Sequence, residues 1–180
     1  MTAIPTLTTK RLTLRPIVRD DLDGFAAMWS DEEFTRHIGG PTDRHGTWHN
    51  LAGNIGCWEL EGVGPWSVVE RVTGTLVGRA GLWSEPGWPG IEAVWFIGRQ
   101  WWGRGFGTEA AAAAIAWAFE TRPALPEVVS VIRATNTASI RLAERLGMHL
   151  ARTEQLHGAE KGVYAITRSE WVSRAPTIEA

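Results

Sequence analysis

A single cysteine, Cys57, leaves no partner for an internal disulfide. That fits a reducing compartment, and a lone thiol of this kind reads as a small buried apolar group. Basic residues are not in surplus either: 18 Lys and Arg stand against 20 Asp and Glu, for a net charge of −2. Without a positive balance to neutralise phosphates, no nucleic-acid partner is expected. No apolar run approaches the ~20 residues of a membrane span, and none follows a basic stretch at the start of the chain. Neither a membrane anchor nor a signal peptide is therefore expected, and the expected setting is the cytoplasm. Only one tyrosine, Tyr164, is present.

What is present suits one packed domain spanning residues 1–180, with 44% hydrophobic residues to fill a core. Tryptophan is abundant, at 11 residues. Trp48, Trp58, Trp66, Trp83 and Trp88 fall in the middle third among glycines and prolines. Two readings stay open for them: packing in core and loops, or an aromatic pocket or dimer surface.

Alternation in Arg11-Leu12-Thr13-Leu14-Arg15-Pro16 predicts an opening strand that Pro16 helps to end. Asp20 or Asp21 should cap a helix to about Trp29, since Leu22, Phe25, Ala26 and Trp29 share a face. A second short helix is expected within 47–60, weakened by Gly53 and Gly56. Strands are expected over 66–71 and 76–82, joined by a turn at Val72-Thr73-Gly74-Thr75, and again over 91–97. An Ala-rich helix should follow over 108–120, then a strand over 128–133. Asn136 is placed to cap a helix that runs to Leu146 and stops at Gly147. Strands over 148–153 and 162–167 close the chain. This order implies a mixed sheet with helices on its faces.

The stretch Trp102-Gly103-Arg104-Gly105-Phe106-Gly107-Thr108 lies between a predicted strand and a predicted helix. Glycines there let backbone N–H groups turn toward a ligand without interference from Cβ. The helix start adds unpaired N–H donors and partial positive charge, and together these make an anion site suited to phosphate. Arg104 and Arg99 could add charge. The plain alternative is a glycine-rich turn that only begins a helix. A P-loop is excluded, because the Gly-x-x-x-x-Gly-Lys-Ser/Thr pattern is absent. Gly105, Gly107 and Ala110 satisfy a dinucleotide fingerprint. That fingerprint wants an acidic residue at the end of the next strand, and here the strand ends in Arg133.

With these motifs in order, the sequence resembles the GNAT superfamily of N-acetyltransferases, in particular the branch that includes the ribosomal-protein alanine N-acetyltransferases. The opening strand, the loop from Trp102 to Ala110, Asn136-Thr137-Ala138-Ser139 followed by Glu144-Arg145-Leu146-Gly147-Met148, and the closing segment from Tyr164 to Trp171 are similar to that branch over most of the chain. The resemblance implies an α+β fold: a mixed, mostly antiparallel central sheet of about seven strands flanked by about four helices. It implies acetyl-CoA as acetyl donor and an amine acceptor that attacks directly. A homodimer also fits the branch.

Cofactor contacts are implied for Trp95, Phe96 and Ile97 on the strand, for Trp102, Gly103, Arg104, Gly105, Phe106, Gly107 and Thr108 on the loop, and for Asn136 and Ser139. A backbone N–H between Val94 and Ile97 would face the thioester oxygen. Many members carry a tyrosine where this chain has Ala143. The branch's serine, here Ser139, is then the implied acid or hydrogen-bond donor to the leaving thiolate. Glu92 is the implied general base, with Glu32, Glu33 and His37 as alternatives. No metal is expected. A non-catalytic acyl-CoA sensor on the same fold is the competing class.

Overall fold

The structure is a computed structural model and describes residues 3–174. Met1 and Thr2, part of the leader reading, and residues 175–180, part of the single-domain reading, lie outside the described residues. One eight-stranded sheet carries the fold, in the order β1-β2-β3-β4-β5-β6-β8-β7. The strands are β1 (Leu7–Thr8), β2 (Leu12–Arg15), β3 (Pro65–Glu70), β4 (Leu76–Trp83), β5 (Glu92–Ile97), β6 (Glu127–Ile132), β7 (His149–Leu156) and β8 (Ala159–Thr167). All neighbours pair antiparallel except β5 and β6. The helices among the described residues are α1 (Leu22–Trp29), α2 (Glu32–Thr35), α3 (Arg44–Glu61), α4 (Phe106–Thr121), α5 (Thr137–Arg145) and α6 (Arg168–Arg174). The expected fold class holds, with one more strand and two more helices than the sequence suggested.

Alternation along the strands sorts the residues between two faces. Leu12, Leu14, Trp66, Val68, Ala80, Leu82, Val128 and Ile132 join the main core with α4, whose alanines let it lie close to the sheet. The opposite face carries α1 and α3, and Phe25, Trp29, Phe34 and Leu51 form a second cluster there. Cys57 is buried as expected, with its thiol pKa pushed up by burial.

Two elements differ from expectation for physical reasons. The helix at 47–60 is longer, because Asp43 accepts from the Gly46 N–H (2.8 Å) at one end and Gly62, at φ 66°, closes the other. Gly53 and Gly56 have open space where a Cβ would stand, so neither marks a break. Asp21 is not a helix cap by its side chain. Its buried carboxylate accepts from Arg15 (2.6 and 2.7 Å), from the Ser67 hydroxyl (2.7 Å) and from the Val18 N–H (3.0 Å). That ties β2, β3 and the turn before α1 into one polar node.

Candidate active site

The sheet is forked at β5 and β6. These parallel strands pair only at Glu92 and Val129, and beyond that point they separate. The Glu92 side chain stands at the branch point. Its Oε1 accepts from the Val131 N–H (2.7 Å), a group that a continued ladder would have paired with β5. Its Oε2 accepts from the Trp88 indole N–H (2.8 Å). Glu92 is 7% exposed, and burial pushes its carboxyl up to about 7, against the hydrogen bonds from Val131 and Trp88 and the charge of Lys161. A carboxyl poised there can take a proton at neutral pH.

The fork turns backbone donors into the opening. The Gly98 N–H bonds to the Val77 carbonyl (2.9 Å), and the Val129 N–H to the Ile91 carbonyl (3.0 Å). With the β4–β5 register, these bonds fix the alternation: N–H groups of even-numbered residues on β5 point to β4, and those of Trp95 and Ile97 point into the fork. The Phe96 N–H is therefore directed to β4, and Phe96 is one of the residues lining the cavity. Trp102 lays its indole N–H on the Ile97 carbonyl (2.6 Å).

Ser139 enters from the other side. Asn136 caps α5 as expected, its side-chain oxygen accepting from the Ser139 N–H (3.2 Å). The Ser139 hydroxyl accepts from the Trp95 indole (3.3 Å), which leaves its own proton free to donate. Glu92 lies on the face of α1–α3 and α5 packs on the face of α4, so the two side chains meet only through the fork. Both line one cavity of about 320 Å³, with Val94, Trp95, Phe96 and Asn136. Of the alternative bases only His37 lines it, with its pKa lowered by burial and by nearby Arg36 and Arg133. Glu33 pairs with Arg36 at the surface (3.3 Å). Tyr164 is buried in the main core, and Ala143 is fully buried.

The glycine loop runs from the end of β5 into α4. Gly103 (φ 75°) and Gly105 (φ 79°) adopt the left-handed conformation that favours glycine. Trp102 and Gly103 form a turn that directs the Arg104 N–H back toward the Trp101 carbonyl. Among the described residues, the N–H groups of Gly103, Gly105, Phe106, Gly107 and Thr108 have no hydrogen-bond partner, and the first satisfied amide of the helix is that of Glu109, on the Gly105 carbonyl (3.1 Å). Such a run of bare donors at a helix start fits a pyrophosphate. Gly107 has a packing role as well, since a Cβ there would stand 2.9 Å from Leu142 on α5.

Arg99 does not serve the loop. Its guanidinium is held by Asp31 (2.8 Å), a partner 68 residues away in sequence. Arg11 takes the nearer place. It donates to the Arg104 carbonyl (2.8 Å), lies over the Phe106 ring (4.9 Å) and pairs with Glu109 (2.6 Å). Nothing local marks Arg11 for this work, because the contact spans 93 residues or more. Arg79 was also not singled out. It is buried between the rings of Trp29 (4.6 Å) and Phe96 (4.5 Å), bonded to Asn50 (3.0 Å), and burial lowers its pKa to about 9.

The tryptophans divide between both readings. Trp58 and Trp66 pack with Trp117 in the core, whereas Trp88 lines the cavity.

Comparison with known proteins agrees with this geometry. The family described as acetyltransferase (GNAT) domain matches residues 11–149. An uncharacterized N-acetyltransferase, p20, of Bacillus licheniformis is 31% identical over 146 residues, covering 78% of this chain and 80% of that protein. The crystal structure of an acetyltransferase from Agrobacterium tumefaciens is similar at 32% identity and TM-score 0.80, covering 92% of this chain and 96% of that one. The aminoglycoside acetyltransferase AAC(6′)-Ib, solved in complex with coenzyme A, shares the fold at 18% identity and TM-score 0.76, over 91% of this chain and 99% of that one. A match across the forked sheet, the glycine loop and the α5 cap means that this chain belongs to the GNAT acetyltransferase family.

Proposed function

We propose that this chain is a cytoplasmic N-acetyltransferase that moves an acetyl group from acetyl-CoA to a primary amine by direct attack. The observation that carries the reading is that Glu92 and Ser139 line one cavity at the fork, with five bare amides following the end of β5. Acetyl-CoA supplies an activated thioester. The amides of Gly103 and of residues 105–108 would hold its pyrophosphate, and the fork-facing edge of β5 would receive its pantetheine arm beside Asn136.

An amine must attack as the neutral base. The Glu92 carboxylate would take its proton, either directly or through one water, as the C–N bond forms. The Trp95 N–H points into the fork and would face the charge that develops on the thioester oxygen. As the C–S bond breaks, the Ser139 hydroxyl would donate to the sulfur. Its acceptor side is already engaged by the Trp95 indole. The proton held on Glu92 then passes to solvent.

Titration calorimetry with acetyl-CoA, followed by a CoA-release assay across a panel of amines, tests the reading. The expected result is micromolar binding and turnover with at least one amine. No binding at hundreds of micromolar would end it. Binding without turnover on any amine would favour the acyl-CoA sensor instead.

A further inference from the structure

The acceptor side of the cavity has a charge pattern that the proposed chemistry leaves unused. β6 and β8 pair through Ile132 and Gly162, so Arg133 and Lys161 stand at the next step, across from each other at the end of the ladder. Like charges at neighbouring cross-strand positions repel. A structure keeps such a pair where something else compensates it. Among the described residues neither forms an ion pair within 4.0 Å, and the compensation Lys161 has is longer-ranged, from the Glu92 carboxyl and the Trp88 ring.

Glu154 is the one carboxylate in register with Lys161, on β7. It is turned away to Arg152, at 2.6 Å. Lys161 lies instead over the Trp88 ring (5.6 Å), the same indole that donates to Glu92. Both cations line the cavity, as does His37, whose ring stands 3.5 Å from the Thr135 hydroxyl. Among the described residues, the only acidic side chain on the cavity wall is Glu92, which is already engaged by Val131 and Trp88.

We infer that the acceptor is an amine whose own molecule carries a carboxylate, with Arg133 and Lys161 receiving that carboxylate while the amine points to Glu92. This inference rests on the acetyltransferase reading and sharpens it. A polycation, such as a polyamine or an aminoglycoside, would bring positive charge against Arg133 and Lys161. A carboxylate relieves the like-charge pair on binding. The cavity of about 320 Å³ holds a small head group. The carboxylate can belong to a free amino acid or to an acidic residue near a peptide N-terminus.

The test compares kcat/KM for L-amino acids, the same amino acids as carboxamides, spermidine, and short peptides with Asp or Lys as second residue, all with saturating acetyl-CoA. A carboxylate-bearing acceptor should exceed its carboxamide by about tenfold or more, and spermidine should be poorest. Preference for the free amino acid identifies a small-molecule acceptor; preference for the Asp peptide identifies a peptide N-terminus. Lys161→Met and Arg133→Met should each shrink the carboxylate preference several-fold, mainly through KM, with unchanged acetyl-CoA affinity by calorimetry.

Equal rates for carboxylate and carboxamide, or a preference for spermidine, would overturn the inference and leave the enzyme reading standing. Weakened acetyl-CoA binding in the two variants would also overturn it, by assigning these cations to the cofactor. Absence of turnover with every acceptor would remove both readings together.

Discussion

Glu109 and Glu92 support opposite ends of the cleft, and the fold treats their carboxyls in opposite ways. Glu109 is partly buried, which works to raise its pKa. Hydrogen bonds from Thr9 (2.6 Å) and from the N–H and guanidinium of Arg11 outweigh burial and hold it below the usual range. Glu92 is buried without an ion-pair partner, and its pKa rises to about 7. The first carboxylate is permanently charged and fixes the glycine loop to β2. The second sits where its charge can change during turnover. The loop end is thus built from backbone amides held in shape by an ion pair. The fork end is built from side chains whose protonation is free to vary. A site that grips a constant dianion and also moves a proton needs both kinds of construction.

The comparison breaks most visibly at the loop. Gly105→Glu places a side chain at φ 79° and a negative charge among the bare amides. Acetyl-CoA affinity measured by calorimetry should fall by about a hundredfold or more. Unchanged affinity would mean that the pyrophosphate sits elsewhere.

Glu92→Gln is expected to come next, and to act on rate rather than on binding. kcat at neutral pH should drop about a hundredfold, with acetyl-CoA affinity within about threefold of the parent. The parent's pH–rate profile should show a limb near 7 that the variant lacks. The same carboxyl leaves a mark on stability. Its folded pKa of about 7 exceeds its ordinary 4.5, so the stability it contributes is complete below 4.5 and is lost as pH rises through about 7. Between pH 5 and pH 8 the parent's Tm should therefore fall more than that of the variant. Glu109 has the reverse sign: its lowered pKa contributes stability that is present above the ordinary value and is lost on acidification.

The smallest effect belongs to Ser139→Ala. The N–H bond to Asn136 uses the backbone of Ser139 and survives the change. kcat should fall about tenfold while acetyl-CoA affinity stays close to the parent's. Equal kcat would remove the hydroxyl from the chemistry.

The sequence showed the loop better than the fork. Glycines at a strand-to-helix junction act within a few residues of one another, so their spacing is readable. The same holds for Asn136 and Ser139, three positions apart and joined by a cap. Failures came where the partner was distant. Asp21 looked like a helix cap until Arg15 and Ser67 claimed its carboxylate. Arg99 looked like a phosphate ligand until Asp31 claimed its guanidinium. Glu92 entered the reading through family resemblance. Its raised pKa comes from burial, which the linear chain does not mark, and its carboxyl is held by the Val131 N–H on β6 and the Trp88 indole.

Local patterning by itself determined the order of strands and helices, the glycine-lined helix start and the cap on α5, because each depends on contacts between near neighbours. Only the tertiary structure decided that β5 and β6 part beyond Glu92, that a base and a hydroxyl from opposite faces share the opening, and that Arg133 and Lys161 stand together beside it. Those outcomes arise from burial and from pairing across the sheet, which place side chains tens of residues apart into one low-dielectric space.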